Sequence, residues 1–235
     1  MAGETIKTEA ICLDIRPWSR TSHVVSWLTP MGKVSTVVKG AVRAKSQFLG
    51  QYDLNYTCDI LYYARAKGEL HALRECAPLE MREDLREDYR KLALAGYMRR
   101  LVAELAPQGE ECKEWYDFLA QSLSSLIPHP SSLVRFELEV LKLSGLAPDF
   151  SNYNKDAEWS AFSIEAGSFG DGEGRCIRVS REVAEYLSKK CENAKNPQIP
   201  LDAARVIGVF YQFHLDCASD VRRTVLEMIS SSKEG

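Results

Sequence analysis

The stretch GKVSTVVKGAVRAKSQFLG, residues 32–50, joins a strand pattern to a basic loop. Its first half is apolar and rich in β-branched residues, which is typical of a β-strand. The run turns at Gly40, and the residues that follow are small, polar or cationic. We therefore predict a strand that feeds a basic loop, whose cations are Lys39, Arg43 and Lys45.

The charge around this stretch is one-sided. Residues 16–52 contain no Asp or Glu, although the whole chain has a formal net charge of −3. Residues 1–79 carry ten Lys or Arg against seven Asp or Glu, and residues 80–235 carry twenty against twenty-six. A local basic field of this kind attracts a phosphate backbone. The predicted DNA-binding cations are Arg16, Arg20, Lys33, Lys39, Arg43 and Lys45.

Length and composition indicate a globular protein. With 235 residues and 45% hydrophobic residues, the chain can bury the core of one large or two small domains. No apolar stretch approaches the ~18 residues of a membrane span, and the N-terminus lacks a signal-peptide pattern, so we expect a cytoplasmic protein without a membrane partner. The seven cysteines are scattered without a CxxC pair, which argues against a disulfide framework and a zinc site.

The first third of the chain has the pattern of a small β-module. We predict strands at residues 8–16, 23–29, 33–39, 58–63 and 70–75, with turns at residues 30–32 and 66–68. Five short strands fit a small closed barrel, either an OB-fold or an SH3-like barrel, and periodicity does not separate the two.

After Pro78 the apolar period becomes helical. We predict a two-part α+β fold, with a small five-stranded barrel domain at residues 1–78 and a mostly helical domain at residues 79–235. The predicted helices cover residues 81–105, 110–126, 133–143, 181–191, 201–216 and 219–229, with Ser131 or Ser132 as the N-cap of the third and Ser180 as that of the fourth. Residues 150–179 are predicted to be irregular, with one short hairpin around residues 171–174.

Four aromatic residues in the basic window could stack on bases: Trp18, Trp27, Phe48 and Tyr52. Trp27 lies within a predicted strand and is as well explained by the core. Trp18 and Phe48 lie in predicted loops and are the better candidates for stacking.

No pattern in the sequence predicts an enzyme or a cofactor. The four histidines have no HxxxH spacing, and there is no glycine-rich phosphate loop. The acidic pairs Glu83-Asp84 and Glu87-Asp88 are predicted to lie on a helix face with Arg82, Arg86 and Arg90, as surface i, i+4 ion pairs and not as nuclease ligands.

Several segments together resemble the RecO family of bacterial recombination mediators. Residues 16–50, RPWSRTSHVVSWLTPMGKVSTVVKGAVRAKSQFLG, carry the N-terminal resemblance. Downstream it continues in YMRRLVAEL, VRFELEVLKLSGLAPDF and FYQFHLDCASDVRRTVLEM. The resemblance covers nearly the whole chain, and it rests on the order and spacing of these segments together.

The resemblance implies a DNA repair and recombination function in the RecFOR pathway. It implies an N-terminal OB-fold on a helical domain, binding of single- and double-stranded DNA and annealing of complementary strands. It further implies loading of RecA onto strands coated by the single-strand DNA-binding protein, partnership with RecR, and a cytoplasmic, nucleoid-associated location. The runner-up hypothesis is a protein–protein adapter with little DNA affinity of its own.

The chain departs from the family pattern in one segment. Many RecO proteins carry four zinc-binding cysteines after the APDF segment, and residues 151–180 here contain only Cys176. Because a structural zinc site needs four ligands, we expect no metal in this chain.

Two arginines interrupt apolar helical segments. Arg135 lies in SLVRFELEVL and Arg205 in LDAARVIGVF. Each is either a side chain that extends to solvent or part of a pocket for a partner's acidic, hydrophobic C-terminus. The single-strand DNA-binding protein has such a tail, so Arg135 and Arg205 are the predicted tail-binding residues.

Overall fold

The computed structural model describes residues 4–65, 70–108, 111–170, 174–192, 194, 196–215 and 219–230. These residues form two compact units. The first contains the described residues up to Tyr89 together with Met98–Ser125, and the second contains Arg90–Tyr97 and the described residues from Leu126 onward.

Five strands in the first unit close into a barrel. Their spatial order is β1-β2-β3-β5-β4, and β4 returns to pair with β1. The strand beside β3 is β5, which runs parallel to it, whereas a simple meander would place β4 there. This is an OB-like arrangement and confirms the predicted five-stranded barrel. The strands are β1 (Thr5–Ser19), β2 (Ser22–Thr29), β3 (Gly32–Val38), β4 (Thr57–Tyr63) and β5 (Leu70–Glu80).

A register shift in β1 changes which residues face the barrel interior. Cys12 pairs with the fully buried Trp27, but Asp14 pairs with Ser26, so the bulge adds one residue to β1. The next inward residue of β1 is Ile15, which packs on the barrel core. As a result, even-numbered residues after the bulge lie on the outer surface.

The predicted β2–β3 turn is confirmed. Thr29 ends β2 and Gly32 begins β3. The Thr29 hydroxyl donates to the Gly32 carbonyl over 2.8 Å and accepts from the Met31 N–H over 3.2 Å. The predicted turn at residues 66–68 lies outside the described residues.

The first long helix begins later than predicted. Helix α1 covers Tyr89–Leu105, and a single 3-10 turn at Glu83–Arg86 precedes it. Arg82 adopts a left-handed conformation with φ of 50°. Its buried guanidinium donates to the Asn55 carbonyl and to the Thr57 hydroxyl. Arg82 is therefore a buried anchor, and its predicted place among helical surface pairs is wrong.

Helix α3 begins with a cap that the sequence pattern did not reveal. Helix α2 covers Lys113–Ser124 and α3 covers Pro130–Leu143. The N-cap of α3 is His129, whose Nδ1 accepts from the Ser131 N–H over 3.1 Å, and Pro130 occupies the first turn. The prediction of Ser131 or Ser132 as the cap was wrong.

The segment predicted to be irregular contains a small sheet. Strands β6 (Trp159–Ser163), β7 (Ser168–Phe169) and β8 (Cys176–Ser180) are arranged with β6 in the centre. Residues 171–173 of the predicted hairpin lie outside the described residues. The strands on either side of them both pair with β6 rather than with each other.

The remaining helices complete the second unit and the α+β fold. Helix α4 covers Arg181–Ser188 with the predicted Ser180 cap, α5 covers Gln198–His214 and α6 covers Ser219–Ser230. Helix α5 packs against α3, α4 and α6. Among the described residues, no helix has the length and apolarity that a membrane crossing requires.

Candidate nucleic-acid interface

The loop after β3 lies against the β1–β2 turn. Gly40 donates from its N–H to the Ser22 hydroxyl over 3.3 Å, and Val42 donates to the Thr21 carbonyl over 3.4 Å. These bonds bring exposed cations from two segments to one end of the barrel. We call this set the loop-end cations: Arg20, Lys39 and Arg43.

Gly40 permits this loop conformation for two reasons. Its φ of +68° is left-handed, a region that favours glycine. A Cβ at this position would also lie 3.2 Å from the Arg43 Cδ. The turn therefore holds the Arg43 side chain close to the loop backbone.

The rest of the basic loop contains two predicted DNA-binding residues that differ in exposure. Lys45 is exposed, as a phosphate contact requires. Phe48 is only 8% exposed and belongs to the barrel core with Tyr56 and Leu73. In this conformation the Phe48 ring is therefore not exposed to a base, because burying it stabilises the loop against the barrel.

The other aromatic residues of the basic window differ in how far they are exposed. Trp18 is 63% exposed near the end of β1 and remains available for stacking. Trp27 is fully buried, and its Nε1–H donates to the Thr36 hydroxyl over 2.8 Å. Tyr52 is half-buried, with its hydroxyl 2.8 Å from Nδ1 of His23.

A polar groove runs along the outer surface of the barrel. It has a volume of about 510 Å³ and is lined by β1, β2, β3 and β5 together with residues of the first unit near the end of α1. Both Arg16 and Lys33 line it, so two of the predicted DNA-binding cations share one surface. Its polar lining residues include Asp14, Arg16, Ser26, Lys33, Ser35 and His71.

Arg16 has an acidic partner that the sequence window hid. Its Nε contacts Oδ2 of Asp14, which lies two residues before the acid-free window begins. The Arg16 side chain remains 74% exposed. An alternating strand does place residues i and i+2 on one face, so the pair was detectable from the spacing alone.

Lys33 has a structural contact as well as a place in the groove. Its ammonium donates to the Ala103 carbonyl over 2.9 Å, in the last turn of α1. Burial lowers the pKa of Lys33 from its ordinary value of 10.5. The side chain is therefore less free for phosphate than the loop-end cations.

A further cation near the groove was missed by sequence reasoning. Arg99, on α1, donates to the carbonyl of Leu13, the bulge residue that lines the groove. Burial lowers the pKa of Arg99, although the cation remains charged at neutral pH. The helical pattern of YMRRLVAEL gave no sign of this contact.

In the second unit, the two predicted tail-binding arginines lie on different helices. Arg135 on α3 is exposed, and its Nε donates to the Ser131 carbonyl over 3.4 Å. Arg205 on α5 is exposed and pairs with Asp202 over 2.6 Å. Neither lines the cavity of about 450 Å³ in this unit, whose lining includes Arg90, Pro128, Pro130, Leu201 and Ile229.

Cys176 and Tyr153 both lie in the segment that is expected to lack a metal. Cys176 is exposed on β8, and Tyr153 packs edge-on against Phe169. Within the described ranges, no three His, Cys, Asp or Glu side chains are grouped as metal ligands.

Comparison with known proteins connects both parts of the chain to one family. A family model described as the N terminal of recombination protein O matches residues 1–82, and one for its C terminal matches residues 86–218. A DNA repair protein RecO from Alkaliphilus metalliredigens is 30% identical over 234 residues, covering 90% of this chain and 94% of that protein.

Two further relatives match over shorter lengths. A DNA repair protein RecO from Roseiflexus is 28% identical over 151 residues, covering 63% of this chain and 53% of the relative. One from Moorella thermoacetica is 30% identical over 145 residues, covering 60% of this chain and 54% of the relative.

Proposed function

This chain belongs to the RecO family of DNA repair proteins, and we propose that it binds single- and double-stranded DNA through its barrel and anneals complementary strands. In this proposal it also helps to load RecA onto strands coated by the single-strand DNA-binding protein. The mechanism is physical, with no covalent step and no cofactor.

The observation that carries the DNA proposal is the clustering at one end of the barrel. The Val42–Thr21 and Gly40–Ser22 hydrogen bonds join two separate segments, and the joined segments present the loop-end cations. Trp18 is exposed in the strand that leads into the same turn. Cations beside an exposed aromatic ring are the combination that single-strand binding requires.

Annealing follows from charge neutralisation. Two complementary strands repel each other through their phosphates, and cations that neutralise one backbone reduce that repulsion. Phosphate contacts carry little sequence information, so the same surface serves strands of any sequence. Base pairing between the strands then supplies the specificity.

The test of this proposal is a charge-removal variant with a matched control. The variant Lys39→Ala/Arg43→Ala/Lys45→Ala should weaken single-strand binding about equally across sequences. It should also flatten the log–log salt dependence by about 0.7 per lost contact. The control Lys113→Ala/Lys142→Ala/Lys189→Ala removes three exposed lysines that lie outside the loop, and it should leave the slope within error of wild type.

Two outcomes of this test would contradict the proposal. Equal affinity and slope in variant and wild type would remove the loop from the DNA site. A wild-type chain without measurable affinity for mixed-sequence single strands at physiological salt would favour the adapter hypothesis.

Protein partners are proposed for the helical part of the chain. RecR and the C-terminal tail of the single-strand DNA-binding protein are the direct partners, and RecA is reached indirectly. An acidic, hydrophobic tail needs a cation beside an apolar pocket. Arg135 and Arg205 supply exposed cations, whereas the cavity with Arg90, Pro130, Leu201 and Ile229 combines both features.

Charge reversals separate these positions. We expect Arg90→Glu, Arg135→Glu or Arg205→Glu to reduce tail-peptide binding only where the residue contacts the tail. Bare-DNA binding should remain as in wild type, because it depends on the barrel. Full peptide affinity in all three variants would contradict a tail site in this unit.

A further inference from the structure

The outer groove of the barrel contains an acidic side chain among hydrogen-bond donors and cations. We propose that the groove between Arg16 and Lys33 is a subsite for one DNA backbone phosphate, and that the Asp14 carboxylate occupies it until DNA displaces it. This inference rests on the proposed DNA binding by the barrel. It adds where one phosphate lies and which residue competes with it.

The bulge in β1 puts Asp14 in this position. If β1 continued from Cys12 without the shift, Asp14 would pair with Val25, whose side chain is fully buried. With the shift, Asp14 pairs with Ser26 and faces the groove, and Arg16 follows on the same surface. Bulges commonly redirect a side chain beside a functional site.

The Asp14–Arg16 pair has the chemistry of an occupied anion site. The Arg16 Nε contacts Oδ2 of Asp14, and the two side chains are 74% and 39% exposed. A guanidinium binds carboxylate and phosphate oxygens through the same N–H groups. A phosphate therefore exchanges for this carboxylate without any change in the donor.

The other polar groups of the groove suit an anion. Lys33 gives one N–H to the Ala103 carbonyl and has two more to donate. The hydroxyls of Ser26 and Ser35 lie 3.5 Å apart across the β2–β3 pair. His71 accepts from the Arg65 N–H at Nδ1, so the neutral ring carries its proton on Nε2 as a donor. Of the described residues that line the groove, Asp14 alone is acidic.

Neutralising Asp14 should therefore strengthen DNA binding. Asp14→Asn removes a charge that repels phosphate and releases Arg16, so we expect about three- to tenfold tighter binding of a mixed-sequence single strand at low salt. The log–log salt slope should steepen by about 0.7, the value for one added phosphate contact. Fluorescence anisotropy of a labelled strand across a salt series measures both quantities.

A second acidic pair in the same unit supplies the control. Asp53 pairs with Arg86 over 2.6 Å, with both side chains about half exposed, and neither residue lines the groove. Asp53→Asn changes the net charge by the same amount as Asp14→Asn. We expect it to change affinity by less than about twofold, because the exposed Asp53 pairs with Arg86 and not with a cation of the groove.

A double-mutant cycle shows whether the gain passes through Arg16. Arg16→Ala should lower affinity more in the Asp14→Asn background than in wild type, because the part of the gain that comes from releasing Arg16 is then lost. Thermal melts establish that each variant is folded. Asp14→Ser, a smaller neutral substitution, carries the same expectation where Asp14→Asn does not fold.

The possible results separate this inference from the proposed function. Equal affinities for Asp14→Asn and Asp53→Asn, or a gain that survives Arg16→Ala in full, would overturn the phosphate subsite while leaving DNA binding in place. A wild-type chain that binds no DNA would overturn the proposed function and the subsite with it. A selective, Arg16-dependent gain supports both.

Discussion

The Lys33 ammonium donates to the Ala103 carbonyl over 2.9 Å, so a residue predicted to bind DNA also closes the last turn of α1. Carbonyls in the final turn of a helix lack intrahelical partners, and a cation there also interacts favourably with the helix dipole. Lys33 therefore contributes to stability as well as to the charge of the groove.

This contact predicts a stability difference between two neighbouring lysines. Lys33→Ala should lower the free energy of unfolding by about 1 kcal/mol, because it removes the hydrogen bond and leaves the carbonyl with a weaker partner. Lys39→Ala, at an exposed loop position, should cost less than about 0.5 kcal/mol. Urea unfolding measures both, and equal losses would mean that the Ala103 contact contributes nothing.

The free energy of unfolding should depend far more strongly on a buried ion pair in the second unit than on the Lys33 contact. Arg222 binds Glu137 through two hydrogen bonds, Nε to Oε1 at 2.7 Å and Nη2 to Oε2 at 2.8 Å. Tyr97 also donates to Oε1 over 2.6 Å, and Glu137 is fully buried. Arg222→Met should cost about 3–5 kcal/mol, because it leaves a buried carboxylate without its cation.

The exposed pair on α5 is the matched control. Arg205→Ala removes the partner of Asp202, whose side chain is 40% exposed, and should cost less than about 0.5 kcal/mol. Chemical unfolding of the two variants gives the comparison. A loss below about 1 kcal/mol for Arg222→Met would show that the buried carboxylate is rehydrated or protonated.

The cap of α3 should make stability depend on pH. Nδ1 of His129 must be unprotonated to accept from the Ser131 N–H, and burial, followed by the charge of Arg135, lowers the pKa of His129 below its ordinary 6.5. The unfolded chain then binds more protons than the folded chain in this range. This contribution is complete above pH 6.5 and is lost as the pH falls through 6.5 toward the folded-state pKa.

His129→Asn retains a capping acceptor that does not titrate near neutral pH. We expect this variant to lose less stability than wild type between about pH 8 and about pH 5.5, measured by urea unfolding. The pKa of His71 is also lowered, mainly by burial, so some dependence should remain. An unchanged profile would exclude His129 as a source of the pH effect.

The absence of zinc remains a prediction. Residues 151–180 contain one cysteine, so purified protein should hold no stoichiometric zinc, and chelators should leave its Tm unchanged. One zinc per chain by elemental analysis would contradict this. In that case the metal would stabilise the region of the small sheet in addition to the stacking of Phe150 on Phe162.

Local patterns in the sequence were sufficient to predict the elements whose signal lies in neighbouring residues. Alternating apolar residues predicted all five barrel strands, and Ser180 capped its helix as expected. The side-chain period of strands and helices is a property of the backbone itself, so it can be recognised without knowledge of distant contacts. The order of family-like segments likewise indicates the RecO family.

Tertiary structure alone decided the positions that depend on distant partners. Arg82 has buried contacts with Asn55 and Thr57 and adopts a left-handed conformation, and α1 begins only at Tyr89. Phe48 is buried because its ring packs in the core of the barrel. The bulge after Cys12 turned Asp14 and Arg16 outward together, since one added residue reverses which face of a strand each side chain occupies.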